Sequence, residues 1–410
     1  MINIAILGFG KVGSGVAEVC EMNKEPIRKK LNNEIFIKKI LDTHDFCGTN
    51  FDDRFTKNAD DIFADPEIKV IVETIGGIDI AYEYTRRALM SGKSVVTSNK
   101  ELVATYGPEL LEIAYDRKLS YLFEASVGGG IPIIRPLNKC LSANQVQSIY
   151  GILNGTTNYI LTKMKKDKIS FEKALKEAQD FGYAEKDPTE DIEGNDACRK
   201  IAILSSIATG EFIDYRNIYT EGISKITDRD IIYADSMGYK IKLIAMAKKD
   251  SEDIIELCVS PALISGDNPL SIADDVFNAI LVEGNALGKA MFYGKGAGKL
   301  ATASAVVADI IEAALHINLT PHKVLMKKTK SIYIKKHEDC LVKAFIRLKN
   351  NEETDKVISD LENITDVEIL PGKYADETGI IVGERIKITE AMLSEILNGS
   401  LSFLTMIRIL

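Results

Sequence analysis

The chain has 410 residues, room for two or three domains, and its 46% hydrophobic and 27% charged residues are typical of a soluble globular protein. Its formal net charge of −9 argues against nucleic acid or an anionic membrane as the main partner. The sequence contains no apolar run of about 18 residues, so we expect no transmembrane helix. The N-terminus, MINIAILGFG, lacks a basic segment, so we expect no signal peptide. The scattered cysteines, without CxxC spacing, predict reduced thiols in the cytoplasm, and the dispersed histidines predict no transition-metal cluster.

The chain begins with an apolar run, INIAIL, that predicts a short strand. The next six residues have the G-x-G-x-x-G spacing: Gly8, Phe9, Gly10, Lys11, Val12 and Gly13. A helical pattern follows, which gives the order strand, glycine turn, helix. Such a turn lets the backbone approach a pyrophosphate at a helix N-terminus. These residues therefore predict a dinucleotide-binding site, for NAD or NADP, and a merely structural glycine turn is the alternative.

The second predicted strand, near residues 34–41, ends at Asp42. A carboxylate at this position accepts hydrogen bonds from a ribose 2′-hydroxyl and repels a 2′-phosphate. Asp42 thus favours NAD over NADP, and a polar strand cap is the alternative. The interval from the glycines is longer than the usual ~20 residues, because the connection through residues 22–33 is long.

Strands and helices continue to alternate up to residue 123, with one helix expected around residues 108–116, which predicts a doubly wound parallel sheet. Lys100 follows the strand at Ser94–Thr97, at the end of the sheet where such folds bind ligands. A lysine there suits a carboxylate or a phosphate. The alternative is a solvated lysine at the start of a helix.

The segment EASVGGGIP, residues 124–132, contains three consecutive glycines after a strand. Backbone carbonyls together with the Glu124 carboxylate would suit a hard cation, and a flexible crossover between domains is the alternative. Beyond this segment the pattern predicts an α+β domain with a largely antiparallel sheet, a surface that dimers often bury. A second glycine turn, residues 294–298, precedes an alanine-rich helix; it could close over the nucleotide or be a plain loop.

The stretch from Glu185 to Asp196 contains six carboxylates and runs into a helical pattern. Asp196 and Lys200 are four residues apart and so share one face of that helix. A solvated acidic loop followed by a surface ion pair is the alternative. For Asp187, Glu190, Asp191 and Glu193 a solvated or structural role is expected.

The last segment predicts the order βαββαβ, typical of small regulatory modules. We therefore expect three domains: a dinucleotide-binding domain at residues 1–130, with the helix near 300–330 packed back on it, a substrate-binding, catalytic and dimerisation domain at 131–335, and the regulatory module at 338–410.

Seven motifs resemble those of homoserine dehydrogenase, in that family's order and over almost the whole chain: GFGKVG, VETIGG, TSNKELVA, FEASVGGGIPII, GILNGTTNYILT, GYAEKDPTEDIEGNDACRKIAIL and YGKGAGKLATASAVVADI. The resemblance implies reversible, NAD(P)-dependent reduction of L-aspartate 4-semialdehyde to L-homoserine, a step in threonine, methionine and isoleucine biosynthesis. It also implies a C-terminal ACT-like domain. A related amino-acid dehydrogenase and a non-catalytic sensor of nucleotides or amino acids are the alternatives.

The resemblance also implies roles for single residues. Lys200 matches the proton donor, and Glu185 and Asp196 match substrate ligands. Lys100 matches a lysine near both nicotinamide and substrate, while Gly182 and Gly298 match glycines that touch the nucleotide. The residues that match the family's sodium site are Glu124, Val127, Gly129 and Ile131.

Two positions depart from the family's pattern. Asp42 stands where the family often has a basic residue that suits NADP. The first loop of the C-terminal module, residues 349–352, lacks the glycine that ACT modules often use to bind an amino acid. Threonine is the effector that the resemblance suggests, and a homodimer or a homotetramer is the expected assembly.

Overall fold

The computed structural model describes residues 1–317, 319, 321, 324–328 and 331–410. The strands, numbered in chain order, are β1 (Ile2–Leu7), β2 (Ile35–Leu41), β3 (Phe55–Thr56), β4 (Ile68–Glu73), β5 (Ser94–Thr97), β6 (Tyr121–Leu122), β7 (Val146–Ile152), β8 (Tyr219–Thr220), β9 (Tyr239–Lys249), β10 (Ile254–Ser265), β11 (Phe277–Gly284), β12 (Gly288–Lys295), β13 (Tyr333–Ile334), β14 (Leu341–Val342), β15 (Ala344–Lys349), β16 (Val367–Ile369), β17 (Glu377–Val382), β18 (Ile388–Thr389) and β19 (Phe403–Ile409).

The α-helices are α1 (Lys11–Met22), α2 (Lys24–Leu31), α3 (Asp60–Phe63), α4 (Asp79–Met90), α5 (Lys100–Asp116), α6 (Ala125–Gly128), α7 (Gly155–Asp167), α8 (Phe171–Asp180), α9 (Thr189–Ile192), α10 (Asn195–Thr209), α11 (Asp228–Ser236), α12 (Lys299–Leu315), α13 (Thr354–Glu362) and α14 (Glu390–Leu397). None of the described helices has both the length and the apolar character needed to cross a membrane.

The first sheet is parallel, with the strand order β3-β2-β1-β4-β5-β6. The strands β1, β4 and β5 are almost entirely buried, as expected where helices cover both faces of a sheet. The strand order reverses between β1 and β4, and such a reversal opens a ligand crevice at the carboxyl ends of the strands. The strand order confirms the predicted doubly wound parallel sheet, which is a Rossmann-type fold.

Helix α12 packs closely against α1 and the first sheet. Their shared core includes Ile4, Val16 and Val306. A Cβ at Gly15 would lie 2.9 Å from the main-chain oxygen of Lys299 and 3.2 Å from the Cβ of Ala303. The close approach therefore requires small residues on both helices, which explains why α12 is rich in alanine.

Helix α5 begins at Lys100, well before the stretch near residues 108–116 that the sequence pattern indicated. The Oδ1 of Asn99 accepts a hydrogen bond from the main-chain N–H of Leu102 at 3.1 Å and so caps the helix. Pro108 lies inside the helix, where it leaves one main-chain hydrogen bond unmade. The predicted start was wrong because proline is most common in the first turn of a helix.

The second sheet is mixed, with the order β12-β11-β7-β9-β10-β19-β15-β17-β16. Its first part is antiparallel, and the long pair β9–β10 extends from Tyr239 to Ser265. One face packs around Ile152, Ile244 and Leu281. This part confirms the predicted α+β region with a largely antiparallel sheet.

The C-terminal residues form β15, α13, β16, β17, α14 and β19, which is the predicted βαββαβ order. They have a core of their own around Ile346, Leu361 and Leu393. The strand β19 also pairs in parallel with β10, with Arg408 beside Ala262. The sheet of this module thus continues the preceding sheet within the same chain.

The chain forms two compact units by internal packing. Unit 1 consists of Met1–Gln145, Ala202–Tyr215 and Gly294–Lys330, and unit 2 consists of Val146–Ile201, Arg216–Tyr293 and Ser331–Leu410. The three domain boundaries expected from the sequence, at residues 130, 335 and 338, remain predictions.

Candidate active site

The glycine turn between β1 and α1, in unit 1, has the geometry that a pyrophosphate requires. Gly8 has a φ of +89°, which favours glycine. A Cβ at Gly13 would lie 2.0 Å from the main-chain oxygen of Gly8, so a larger residue would push the helix away from the turn. Open space surrounds the Cβ position of Gly10, the N-cap residue of α1, and no described side chain caps this helix. The first N–H groups of α1, which begins at Lys11, therefore fit an anion.

Asp42 lies directly after β2 and is bonded to the glycine turn. Its Oδ2 accepts a hydrogen bond from the main-chain N–H of Phe9 at 2.7 Å, and its Oδ1 accepts one from that of His44 at 2.9 Å. Burial acts to raise the pKa of Asp42, but these hydrogen bonds outweigh burial and hold the pKa below its ordinary value. Asp42 is therefore an anion that also fixes the shape of the turn.

A buried hydrogen-bond network joins the ends of β4 and β5. The carboxyl group of Glu73 is buried and accepts hydrogen bonds from the main-chain N–H of Ile75 at 2.7 Å and the hydroxyl of Thr97 at 2.5 Å. The Thr97 hydroxyl oxygen accepts in turn from the N–H of Asn99 at 2.9 Å. Burial raises the pKa of Glu73 to about 7. The network holds the segment that places Lys100 at the start of α5, a role for Glu73 that sequence reasoning missed.

The glycine-rich segment after β6 contains the one-turn helix α6 and a turn at Gly129, whose φ is +58°. The Oε1 of Glu124 accepts hydrogen bonds from the N–H groups of Ile133 and Ile134 at 2.6 and 2.7 Å. Its Oε2 accepts from the N–H of Arg135 at 2.9 Å. The carboxylate of Glu124 therefore already caps the following backbone.

The expected sodium ligands are all buried in unit 1, with Glu124 at 3%, Val127 at 0% and Ile131 at 2% exposure. Gly129 belongs to the same segment, and a Cβ there would lie 2.2 Å from the main-chain oxygen of Gly296. No group of three or more His, Cys, Asp or Glu among the described residues could hold a metal ion. A cation at this segment would therefore have to rely mainly on main-chain oxygens, because the one carboxylate is already bonded.

In unit 2, helix α10 brings Asp196 and Lys200 together on a buried face. The Nζ of Lys200 lies 2.7 Å from the Oδ2 of Asp196, and the two side chains are 11% and 8% exposed. The same Nζ donates a hydrogen bond to the main-chain oxygen of Leu153 at 2.8 Å. The alternative of a surface ion pair is wrong for these residues, since the pair is shielded from water.

Two further polar side chains complete this cluster. The Nδ2 of Asn154 donates to the Oδ1 of Asp191 at 2.7 Å and to the Oδ2 of Asp196 at 3.0 Å. Burial, followed by the nearby charge of Asp196, raises the pKa of Asp191. Sequence reasoning did not select either residue, because neither Asn154 nor Asp191 is near Lys200 in a helical pattern. Both residues lie in motifs that carry the family resemblance: Asn154 in GILNGTTNYILT and Asp191 in GYAEKDPTEDIEGNDACRKIAIL.

The other expected site residues lie on exposed or open segments. Glu185 is exposed in the segment after α8, where its main-chain oxygen accepts a hydrogen bond from the side chain of Gln179 at 3.2 Å. Gly182 has a φ of +72° in the same segment. Gly298 has a φ of +117° and is the N-cap residue of α12 in unit 1. The structure thus groups Asp196 with Lys200 and leaves Glu185 outside that hydrogen-bonded cluster.

Comparison with known proteins agrees with this geometry. The chain matches the family model described as homoserine dehydrogenase at residues 132–311, and the model described as homoserine dehydrogenase, NAD binding domain, at residues 8–124. It is 42% identical over 321 residues to homoserine dehydrogenase of Bacillus subtilis, a match that covers 78% of this chain and 74% of the relative. It is 44% identical over 329 residues to the enzyme of Neisseria gonorrhoeae, covering 79% and 75%.

The crystal structure of a homoserine dehydrogenase from Thiobacillus denitrificans superposes on this fold with a TM-score of 0.87. The two proteins are 35% identical, and the match covers 100% of this chain and 98% of that one. The fold, the glycine turn and the sequence identity to these relatives over most of the chain lead to one conclusion. The chain belongs to the homoserine dehydrogenase family of NAD(P)-dependent oxidoreductases.

Proposed function

We propose that this protein interconverts L-aspartate 4-semialdehyde and L-homoserine, with Lys200 as the acid that protonates the aldehyde oxygen during reduction. The observation that supports this proposal most strongly is the buried pair of Lys200 and Asp196 in α10. A nicotinamide cofactor supplies the hydride when it is bound. The remaining requirement is a proton donor beside the oxygen on which negative charge develops.

Lys200 has the surroundings that such a donor needs. An ammonium group has three N–H donors, and those of Lys200 bind Asp196 and the main-chain oxygen of Leu153. These two acceptors orient the side chain, so that a remaining N–H can be directed at the substrate oxygen. In homoserine oxidation the same group would accept the proton of the substrate hydroxyl.

The charges of the substrate explain the other assignments. An α-ammonium group requires acceptors, for which we propose Asp196 and Glu185, and we add Asp191 because it shares the amide of Asn154 with Asp196. An α-carboxylate requires a cation, for which we propose Lys100 at the start of α5.

For the cofactor we propose NAD rather than NADP. The supporting observation is the anionic Asp42, whose pKa is lowered and whose side chain is only 12% exposed. A carboxylate beside the ribose repels a 2′-phosphate. The glycine turn and Gly298 would hold the pyrophosphate, and Gly182 would contact the nucleotide.

We also propose a sodium ion bound by Glu124, Val127, Gly129 and Ile131. The segment is buried and tightly turned, which supports a desolvated cation. Because the Glu124 carboxylate already accepts three main-chain hydrogen bonds, its share in this site would be its main-chain oxygen. Replacing sodium by choline at constant ionic strength should lower activity; equal activity in both salts would contradict this part of the proposal.

For assembly and regulation we propose a homodimer in which the C-terminal module responds to threonine. The βαββαβ order of the module supports an amino-acid-binding role. Its first loop has no glycine, and the Asn350 side chain there donates to the main-chain oxygen of Ala375 at 3.0 Å. Light scattering will distinguish a dimer from a tetramer or a monomer. Unchanged activity and thermal midpoint in millimolar threonine would contradict the effector.

The decisive test is a spectrophotometric assay of homoserine-dependent formation of reduced cofactor, with NAD and with NADP. Turnover with L-homoserine, and no turnover with L-serine or L-threonine, would support the proposal. Cofactor binding without turnover of any of these alcohols would contradict it and favour a sensor.

A further inference from the structure

Asn154 forms hydrogen bonds with two carboxylates of the Lys200 cluster, and no pattern in the sequence indicated these contacts. It lies between β7 and α7 and is 5% exposed. Its Oδ1 accepts a hydrogen bond from the main-chain N–H of Thr157 at 2.9 Å and caps α7. Its Nδ2 donates to carboxylates on two different helices, those of Asp191 in α9 and Asp196 in α10.

The orientation of this amide is determined by its neighbours. The main-chain N–H of Thr157 can only donate, so the atom facing it must be the amide oxygen. The nitrogen then necessarily faces the two carboxylates, which can only accept while they are ionised. The helix cap therefore fixes the donor of Asn154 between Asp191 and Asp196.

Two carboxylates that share one donor repel each other unless something compensates their charge. This repulsion grows as the charges approach each other and as water is excluded from between them. Lys200 binds the same Oδ2 of Asp196 that the Asn154 amide binds. For Asp191, burial and the charge of Asp196 outweigh the hydrogen bonds of Asn154 and Thr156 and the charge of Lys200, so the pKa of Asp191 is raised.

We infer that Asn154 is a positioning residue of the active site, whose amide holds Asp191 and Asp196 as a pair of ionised acceptors and thereby orients Lys200. This inference rests on the proposed function, because it assigns the pair to the substrate ammonium and Lys200 to the substrate oxygen. The groups that face the amide are Asp191 from α9, Asp196 from α10 and, through Asp196, Lys200. The same amide links this cluster to the N-terminus of α7.

The test uses two variants that keep the helix cap but change the donor. Asn154→Asp preserves size and capping but directs a third carboxyl group at the other two. Asn154→Ser preserves capping but is too short to bridge them. We expect kcat/KM for homoserine to fall about 10²-fold in both variants at about pH 8, the scale expected when reacting groups are misplaced by about 1 Å.

The pH dependence separates positioning from capping. In Asn154→Asp a proton taken up by the crowded carboxyl groups replaces the lost N–H. Its kcat/KM relative to wild type should therefore rise at least about tenfold between about pH 8 and about pH 6. Asn154→Ser should remain parallel to wild type, since it adds no titratable group. Asn154 would only cap α7 if both variants had near-wild-type kinetics, or if kcat/KM in both variants had the same pH dependence as in the wild type.

Two controls complete the design. Asn158→Asp makes the same exchange on α7, where the amide instead donates to the main-chain oxygens of Ala273 and Phe277 at 3.0 and 2.9 Å. It should lower the thermal midpoint without changing the shape of the pH profile. Lys200→Ala, assayed in parallel, tests the proposed function separately. If Lys200→Ala is impaired and both Asn154 variants are not, only the inference about Asn154 fails.

Discussion

Helices α8 and α10 each carry a lysine and an aspartate four residues apart, and the two pairs behave differently. In α8 the Nζ of Lys176 lies 2.8 Å from the Oδ1 of Asp180, with side chains 69% and 60% exposed. In α10 the Nζ of Lys200 lies 2.7 Å from the Oδ2 of Asp196, with side chains 11% and 8% exposed. The spacing along the helix therefore determines the contact, while burial determines what the contact does.

The difference in burial arises because the pair in α8 lies on an exposed face of its helix, whereas the pair in α10 lies on a buried face. In α8 the buried residues are Ala174 and Ala178, while Lys176 and Asp180 are exposed. In α10 Ile201 and Leu204 are fully buried, and the turn around Lys200 is covered as well. Water screens the pair in α8, so it contributes at most about 1 kcal/mol. The pair in α10 is shielded from water, so water could not solvate one charged side chain if the other were removed.

The largest expected effect comes from removing the carboxylate of the buried pair. Asp196→Asn leaves the Lys200 ammonium without its counter-ion in a site that is 9% exposed, so we expect a loss of about 3 kcal/mol in the free energy of unfolding. The matched change in α8, Asp180→Asn, should cost less than about 1 kcal/mol. Chemical denaturation followed by circular dichroism measures both. Equal losses in the two variants would show that burial does not distinguish the pairs.

The next effect concerns chemistry. Lys200→Ala should lower kcat by about 10² or more while cofactor binding persists, because the developing oxyanion loses its acid. Lys176→Ala is the control, and its kcat should equal that of the wild type. Steady-state kinetics with L-homoserine and a fluorescence titration of reduced cofactor provide the two readouts. Near-normal turnover of Lys200→Ala would exclude Lys200 as the acid.

A smaller effect is expected at Asp42, a third carboxylate whose surroundings determine its role. Asp42→Asn keeps an oxygen that can accept the N–H of Phe9 but removes the negative charge. We expect the ratio of kcat/KM for NADP to that for NAD to increase about tenfold, which corresponds to about 1.4 kcal/mol of relieved repulsion. Glu34→Gln, an exchange of a half-exposed carboxylate beside Lys24, is the control. An unchanged ratio in Asp42→Asn would leave only the structural role in the glycine turn.

The smallest effect concerns the pH dependence of stability in the acidic stretch. Burial and the charge of Asp196 raise the pKa of Asp191. Its favourable contribution to the free energy of unfolding is therefore present at low pH and is lost as the pH rises through the folded-state pKa. The thermal midpoint of Asp191→Asn relative to wild type should therefore increase from about pH 4 to about pH 7.

Asp187 provides the opposite case within the same stretch. The hydroxyl and N–H groups of Thr189 lower the pKa of Asp187, so its contribution is present near neutral pH and is lost as the pH falls. The midpoint of Asp187→Asn relative to wild type should decrease over the same range in which that of Asp191→Asn increases. Parallel trends in the two variants would show that the two aspartates share one environment.

Much of the fold could be predicted because its signals are local. The run INIAIL followed by three spaced glycines predicts a strand, a tight turn and a helix, since only glycine tolerates the φ of Gly8 and the contact at Gly13. The order of strands and helices then leads to the Rossmann-type sheet. The βαββαβ order of residues 338–410 was equally clear, because each element has its own apolar period.

Less of the candidate site could be predicted, because its contacts join distant parts of the chain. The Glu124 carboxylate caps the backbone at Ile133 and Ile134, a role that the glycine-rich motif did not indicate. Glu73 and Asn154 lie in motifs that the sequence shows. Their hydrogen-bond partners, however, depend on which loops pack together at the ends of the strands. Spacing along the sequence does not indicate which distant residues come into contact.

The sequence by itself determined that Asp196 and Lys200 share a helix face, because the helical period places residues four apart on one side. Only the tertiary structure decided that this face is buried, that Leu153 and Asn154 close around it, and that Asp191 joins it. The physical reason is that a helical period is a property of a few consecutive residues. Burial and shared hydrogen bonds depend instead on how separate elements pack, and in this protein packing distinguishes a buried ion pair from a surface ion pair.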